Sequence, residues 1–258
     1  MQSAHSQLLA GRHALVTGGT RGIGSVIASI LLSHGARVTV LGRHLPANSS
    51  EPIDENRSSA AADVTDPSSV ATAFQQARSK FGPIEILVNN AGQAASAPFL
   101  KTDIALWRRM HAVNLDGTFH CTQAALPDML AAGWGRIVNI ASTAGLTGYG
   151  YIAAYCSSKH AVVGLTRALA LEVAAKGITV NAVCPGYTDT DMVKETVANI
   201  VAKTGRTPEQ ALAELTARNP QKRLIKPHEV ATTVAWLCLP DTESITGQAI
   251  AISGGEVM

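Results

Sequence analysis

Short apolar runs recur along this chain, separated by segments too long for hairpin turns. They are HALVTGG from His13, ARVTVLG from Ala36, IEILVNNAG from Ile84, GRIVNIAS from Gly135, GITVNAVCPG from Gly177 and AIAISGG from Ala249. Each ends in glycine, asparagine, proline or serine, the residues that favour turns. Helical patterns lie between them, around residues 22–34, 67–80, 103–131, 155–176 and 227–239. Strands that alternate with helices build a parallel sheet, because two parallel neighbours can be joined only by a crossover. The alternation predicts an α/β fold: a doubly wound parallel sheet between two helical layers, formed as a single domain over residues 1–258.

Helix starts are marked by their own chemistry. Asp66-Pro67 and Thr207-Pro208 each pair a capping side chain with proline at the first helical position, and Pro227 repeats the proline signal. The stretch from Arg43 to Val64, RHLPANSSEPIDENRSSAAADV, carries scarcely any apolar stripe, so it reads as an irregular surface segment.

Composition narrows the functions. Hydrophobic residues make up 46% and charged residues 16%, with 21 basic against 19 acidic side chains and no block of like charge. That balance argues against nucleic acid or an anionic membrane as the partner. The apolar stretch from Ile137 to Ser158 is dotted with Asn139, Ser142, Thr143 and glycines and does not read as a membrane span. Cys121, Cys156, Cys184 and Cys238 are far apart, which suits reduced thiols in a soluble, cytoplasmic protein and suggests no metal site.

The first strand runs into VTGGTRGIG, which opens the first helix. Glycines there let the backbone approach a pyrophosphate, while the helix N-terminus presents N–H groups to an anion. In this strand–loop–helix setting the reading is dinucleotide binding in a Rossmann-like fold. Further on, Tyr155 and Lys159 are spaced i, i+4 and share a helix face. Ser142 ends a predicted strand at the carboxyl edge of the sheet, where open α/β sheets bind ligands.

The spacing T-G-x-x-x-G-x-G (Thr17, Gly18, Gly22, Gly24), the NNAG of Asn89–Gly92, Ser142 upstream of Tyr155-x-x-x-Lys159, the Pro185-Gly186 turn and the closing ITGQAIAISGG together resemble the short-chain dehydrogenase/reductase family. The resemblance covers almost the whole chain in the expected order. It implies an NAD(P)-dependent oxidoreductase that moves a hydride between nicotinamide and a secondary alcohol or ketone. It implies a catalytic set of Asn114, Ser142, Tyr155 and Lys159. Thr17, Gly18, Arg21, Gly22, Ile23, Gly24, Arg43, Asp63, Val64, Asn90, Ala91, Gly92, Tyr155, Lys159, Pro185, Gly186 and Thr188 would contact the cofactor. Lys159 would also hold the nicotinamide ribose, and Asn114 a water that links Lys159 to solvent. Tyr155 would be the general acid/base, its phenol tuned downward by the Lys159 ammonium and by oxidised nicotinamide, with Ser142 donating to the substrate oxygen.

An acid usually follows the second strand and binds the adenosine ribose. This chain has Gly42, Arg43 and His44 instead, with no acid before Glu51. Arg43, assisted by Arg21, suits a 2′-phosphate through its planar fork. The expected cofactor is NADP, with NAD as the alternative. Residues 188–227 resemble the family's variable substrate lid, read as two helices and a basic tail carrying Lys203, Arg206, Lys222, Arg223 and Lys226. Gln93, Ala94, Ser96, Leu146, Tyr149, Tyr151, Tyr187 and Met192 are candidates for the pocket wall. The lid and AGQAASAPF segments are similar to those of 3-hydroxyacyl and 3-oxoacyl members, so an acyl thioester is one expected substrate. A free cyclic, aromatic or short-chain ketone is the rival, and a non-catalytic dinucleotide-binding regulator a third reading. Family resemblance also implies a homotetramer.

Overall fold

The computed structural model describes residues 7–45 and 55–258. Strands β1 (His13–Thr17), β2 (Arg37–Gly42), β3 (Arg57–Ala61), β4 (Ile86–Asn89), β5 (Gly135–Ile140), β6 (Ile178–Pro185) and β7 (Ala249–Ile252) form one sheet. Its seven strands pair in the order β3-β2-β1-β4-β5-β6-β7, and every pairing is parallel. The connections are α1 (Gly22–Ser33), α2 (Pro67–Phe81), α3 (Ile104–His111), α4 (Gly117–Ala132), α5 (Ala153–Val173), α6 (Asp191–Thr204), α7 (Pro208–Thr216) and α8 (Pro227–Cys238). This is the expected doubly wound α/β architecture.

Central strands are mostly apolar because both faces are covered, and the polar side chains they carry, such as Asn139 and Asn181, are buried and hydrogen bonded. One face packs Val16, Val38, Val88 and Val183 against Ile27 and Leu31 of α1 and Val230 and Val234 of α8. The other packs Leu15, Leu87, Ile137 and Val180 against Phe74 of α2, Met129 of α4 and Ala170 of α5. The caps behave as their side chains dictate. Asp66 accepts from the Ser68 amide at 2.8 Å, and Thr207 and Gln210 form a reciprocal capping box.

Two expectations need correction. The polar stretch after Arg43 is not wholly irregular, since Arg57–Ala61 forms β3, and residues 46–54 lie outside the described ones. An edge strand with one neighbour can be short and polar. Here Ala60 alone faces the core, and Ser58 is tied to Thr39 by a hydroxyl pair 2.8 Å apart. The helix expected over 103–131 is two helices joined by one π-helical turn at Ala112–Asp116, which holds Asn114. An inserted residue of this kind is invisible to a 3.6-residue periodicity, and π-turns gather at functional sites.

Candidate active site

The strand order reverses between β1 and β4, which places a crevice at their carboxyl ends. Side chains stitch its floor. Thr17 Oγ1 accepts from the Asn90 and Ala91 amides, each at 2.9 Å. Asn90 Nδ2 donates back to the carbonyls of Thr17 at 2.9 Å and Gly18 at 3.1 Å. Gly18 takes a left-handed φ of 62°. A Cβ on Gly24 would stand 2.5 Å from Asn90 Nδ2 and closer still to the Gly18 carbonyl. Two backbones therefore meet where only glycine fits. Helix α1 begins at Gly22 with no side-chain cap from Arg21 and no acid in its first turn, so its positive end is left to an anion. This cradle fits a dinucleotide pyrophosphate.

Beside it, a Cβ on Gly42 would lie 2.9 Å from Thr20 Cγ2, so the glycine loop abuts the end of β2, where exposed Arg43 follows. Asp63 accepts from the amide and hydroxyl of Thr65 at 2.9 and 2.8 Å. These bonds hold its carboxyl below the usual range, and the nearby Arg43 charge adds to the effect. Buried Val64 packs on Gly117. At the other end of the crevice Pro185 closes β6, the Gly186 amide donates to the Ile252 carbonyl at 3.0 Å, and buried Thr188 donates to the Gly186 carbonyl at 3.0 Å. Thr190, which starts the lid helix α6, lies 3.8 Å from where a Gly22 Cβ would be. Contacts among Thr17, Gly18, Gly24, Asn90 and Ala91, and between Gly22 and Thr190, thus bring the glycine loop, the loop after β4 and the start of α6 together.

Ser142, Tyr155, Lys159 and Asn114 meet beside it. Ser142 follows β5 and accepts from the Ala144 amide at 3.1 Å, and its hydroxyl lies near enough to the Tyr155 phenol to favour its ionised form. Tyr155 and Lys159 lie one turn apart on α5, with Nζ 5.8 Å from the ring centroid. The Lys159 ammonium is buried and donates to the Ile140 carbonyl at 2.7 Å. Asn114 is wholly buried in its π-turn. Its Oδ1 accepts from the Gln93 amide at 2.9 Å, and its Nδ2 donates to the Gln93 carbonyl at 3.0 Å and to Ser158 Oγ at 3.1 Å. A Gly92 Cβ would lie 3.1 Å from Asn114 Oδ1 and 3.6 Å from Lys159 Nζ, so this glycine lets the amide and ammonium approach the crevice.

Without nicotinamide, burial dominates the electrostatics of the pair. Burial pushes the Tyr155 phenol up to about 12, opposed by the nearby Ser142 hydroxyl. The same desolvation brings Lys159 down to about 8, with the Cys184 thiol acting against it. Among protein groups, then, burial outweighs any lowering of the phenol by lysine.

Pocket candidates divide. Tyr187 and Leu146 are partly buried, and Tyr149 bridges to the C-terminal segment by donating to Glu256 Oε1 at 2.8 Å. Tyr151 is 72% exposed with a left-handed φ of 68°, so it stands on the rim and is no inner wall. Ala94, Ser96 and Met192 are exposed as well. Sequence reasoning missed Ser158, which hydrogen bonds Asn114, and Glu256. No sequence signal marks either one, since each matters only through a partner distant in the chain.

Residues 12–201 match the short chain dehydrogenase family. The chain is 37% identical over 250 residues to D-beta-hydroxybutyrate dehydrogenase of Rhizobium meliloti, covering 94% of this chain and 97% of that one. It is 36% identical over 252 residues to a 3-oxoacyl-acyl-carrier-protein reductase of Vibrio cholerae, covering 97% and 99%. A crystal structure of a variant actinorhodin polyketide ketoreductase with NADPH superposes with a TM-score of 0.88 at 36% identity, covering 97% of this chain and 98% of that one. The chain belongs to the short-chain dehydrogenase family. It is an NAD(P)-dependent oxidoreductase that acts on a ketone/alcohol pair.

Proposed function

We propose that this enzyme is a carbonyl reductase that prefers NADP to NAD, with Tyr155 as its acid/base and Ser142 as its oxyanion donor. The observation that carries the reading is the bond from Lys159 to the Ile140 carbonyl, which docks the Tyr155–Lys159 face of α5 against the end of β5 where Ser142 follows, at the carboxyl edge of the sheet. Bound in the crevice, the reduced nicotinamide supplies the hydride. Ser142 and Tyr155 both donate to the substrate oxygen, which stabilises its developing negative charge. Tyr155 then delivers its proton to that oxygen, and a phenol kept protonated by burial is suited to this direction. Lys159 and Asn114 position this pair. Lys159 anchors α5 to the Ile140 carbonyl beside Ser142, and Asn114 ties α5 through Ser158 to the loop after β4. By family resemblance Asn114 also holds the water that returns a proton to Lys159.

The cofactor preference rests on exposed Arg43, which directly follows β2 where an acid would select NAD, with Arg21 in the glycine loop whose Thr20 abuts Gly42. The remaining cofactor contacts are those that line the crevice, from Thr17 and Gly18 round to Thr188. Residues 188–227 act as a substrate lid on a single catalytic domain. The substrate is a 3-oxoacyl or 3-hydroxyacyl thioester, a reading supported by the names of the relatives more than by the basic lid. Arg206 is bound to Glu214, Arg223 to both oxygens of Glu229 at 2.7 Å, and Lys222 to the Ala217 carbonyl at 2.6 Å. A free ketone is the second reading, favoured by that internal pairing. Apolar side chains left exposed on α4 and α5, Phe119 at 47% and Leu171 at 86%, together with the half-buried edge strand β7, support a homotetramer. No helix among the described residues is long and apolar enough to cross a membrane, and we place the enzyme in the cytoplasm.

The test is steady-state turnover of a 3-oxoacyl thioester and of its free ketone with each cofactor, by wild type and Arg43→Ala. The expected result is thioester reduction with NADPH and a selectively raised NADPH KM in the variant. Faster turnover with NADH, or an equal effect of the substitution on both cofactors, would overturn the preference.

A further inference from the structure

The C-terminal segment after β7 turns back into the site. Gly254 and Gly255 take left-handed φ of 63° and 92°. A Cβ on Gly254 would clash with the Asn219 amide, and one on Gly255 would lie 3.3 Å from Pro220 Cγ. Ser253 Oγ accepts from the Val257 amide at 3.3 Å, and the Ser253 carbonyl accepts from the Glu256 amide at 3.3 Å. This turn aims Glu256 between the two loops that frame the reacting groups. Its Oε1 accepts from Tyr149 on the loop after β5, at 2.8 Å. Its Oε2 lies 3.2 Å from where a Gly186 Cβ would stand, on the loop after β6. The Tyr149 phenol also lies near Thr143, the neighbour of Ser142, and Tyr187 feels the charge of Glu256. Among the described residues no lysine or arginine nitrogen pairs with Glu256 within 4.0 Å. Arg218 instead lies over the Tyr149 ring, 5.0 Å from its centroid.

A carboxylate without an ion-pair partner at the wall of a substrate cleft acts on substrates by charge. It accepts a hydrogen bond from a hydroxyl or N–H, and it repels a second carboxylate across a few ångströms of partly excluded water. We propose that Glu256 is a specificity-determining residue, selecting neutral carbonyl substrates and rejecting those that carry a free carboxylate near the reacting carbon. The inference rests on the oxidoreductase reading and refines its substrate class: a thioester, ester or hydroxylated ketone enters, and a free 3-oxo acid is disfavoured. Arg218 tempers the repulsion without cancelling it, because it sits on the ring face of Tyr149 and is not paired to the carboxylate.

The experiment compares acetoacetate with its ethyl ester, both with NADPH, for wild type and Glu256→Gln. The expected result is a wild-type preference for the ester, and a shift of the acid-to-ester kcat/KM ratio towards the acid by roughly tenfold in the variant. An independent arm uses wild type alone. Raising ionic strength from about 0.05 to 0.5 M screens like charges and should move the same ratio in the same direction. If the ester is reduced but the ratio moves in neither arm, the role of Glu256 falls and the reductase reading stands. If wild type prefers the free acid, the proposal is overturned likewise. If neither compound, nor any ketone, is turned over, both readings fall together.

Discussion

Replacing Gly24 by alanine isolates the part of the fold that makes the dinucleotide crevice. The new Cβ would stand 2.5 Å from Asn90 Nδ2 and nearer still to the Gly18 carbonyl. Ordinary carbon contacts lie near 3.5 Å, so one partner must retreat by about 1 Å. Neither is a flexible side-chain end. The Gly18 carbonyl belongs to the turn, and the Asn90 amide is held by its two bonds to Thr17 and Gly18. Overpacking costs about 1–3 kcal/mol, and losing one of those bonds adds about 1 kcal/mol. The sum, about 2–4 kcal/mol, lowers the melting temperature by roughly 5–15 °C in a chain of this size. Because the same turn forms the anion cradle, NADPH affinity should fall at least about tenfold. Two alanine controls set the scale. Gly22→Ala meets nothing nearer than Thr190 at 3.8 Å and bears only its left-handed φ of 56°, about 1–2 kcal/mol. Gly148→Ala has nothing within 4 Å and should be silent. Thermal melts and fluorescence titration with NADPH read all three. A Gly24→Ala protein that melts with wild type and binds NADPH as tightly would refute the packing argument.

Other consequences follow from the buried titratable groups. His13 Nδ1 donates to the Gly82 carbonyl at 2.9 Å, so Nε2 accepts from Thr39 at 2.9 Å and the ring is neutral. Burial lowers its pKa below 6.5. The unfolded chain therefore takes up this proton first, and stability should fall as pH drops below about 6.5; urea titrations at neutral and mildly acidic pH that superimpose would contradict this. Lys159, lowered to about 8, binds its proton more weakly folded than unfolded, so its burial destabilises the protein at neutral pH and the penalty lifts as pH rises from about 8 towards 10.5. Lys159→Met should consequently melt no lower than wild type at neutral pH while losing most turnover, and a large drop in melting temperature would argue against that reading. Thiol labelling of the native enzyme at mildly alkaline pH should modify Cys156 alone, because burial raises Cys121, Cys184 and Cys238 to about 12, 11 and 12; rapid labelling of a second thiol would count against the packed core.

The sheet was legible because its central strands are buried on both faces and therefore largely apolar, as in Ile86–Val88 or in Val180, Ala182 and Val183. Strand β3 escaped because Arg57–Ala61 sits at an edge, held by backbone pairing to β2 and a Thr39–Ser58 hydroxyl contact. Tyr155 and Lys159 could be read because their spacing is local and helical. The break at Asn114 could not, since a π-turn adds a residue that periodicity absorbs. Glu256 was hidden for a different reason. Its partners, Tyr149 and Gly186, are brought to it only by the order β5-β6-β7 and by two left-handed glycines.

The central claim is that Tyr155 exchanges the proton with the substrate oxygen. Its most direct test is Tyr155→Phe, assayed for single-turnover ketone reduction and, separately, for NADPH binding. The account predicts a loss of rate of roughly 10²–10⁴-fold, the usual worth of a positioned acid, with NADPH affinity kept. A variant that reduces ketone at the wild-type rate would contradict it.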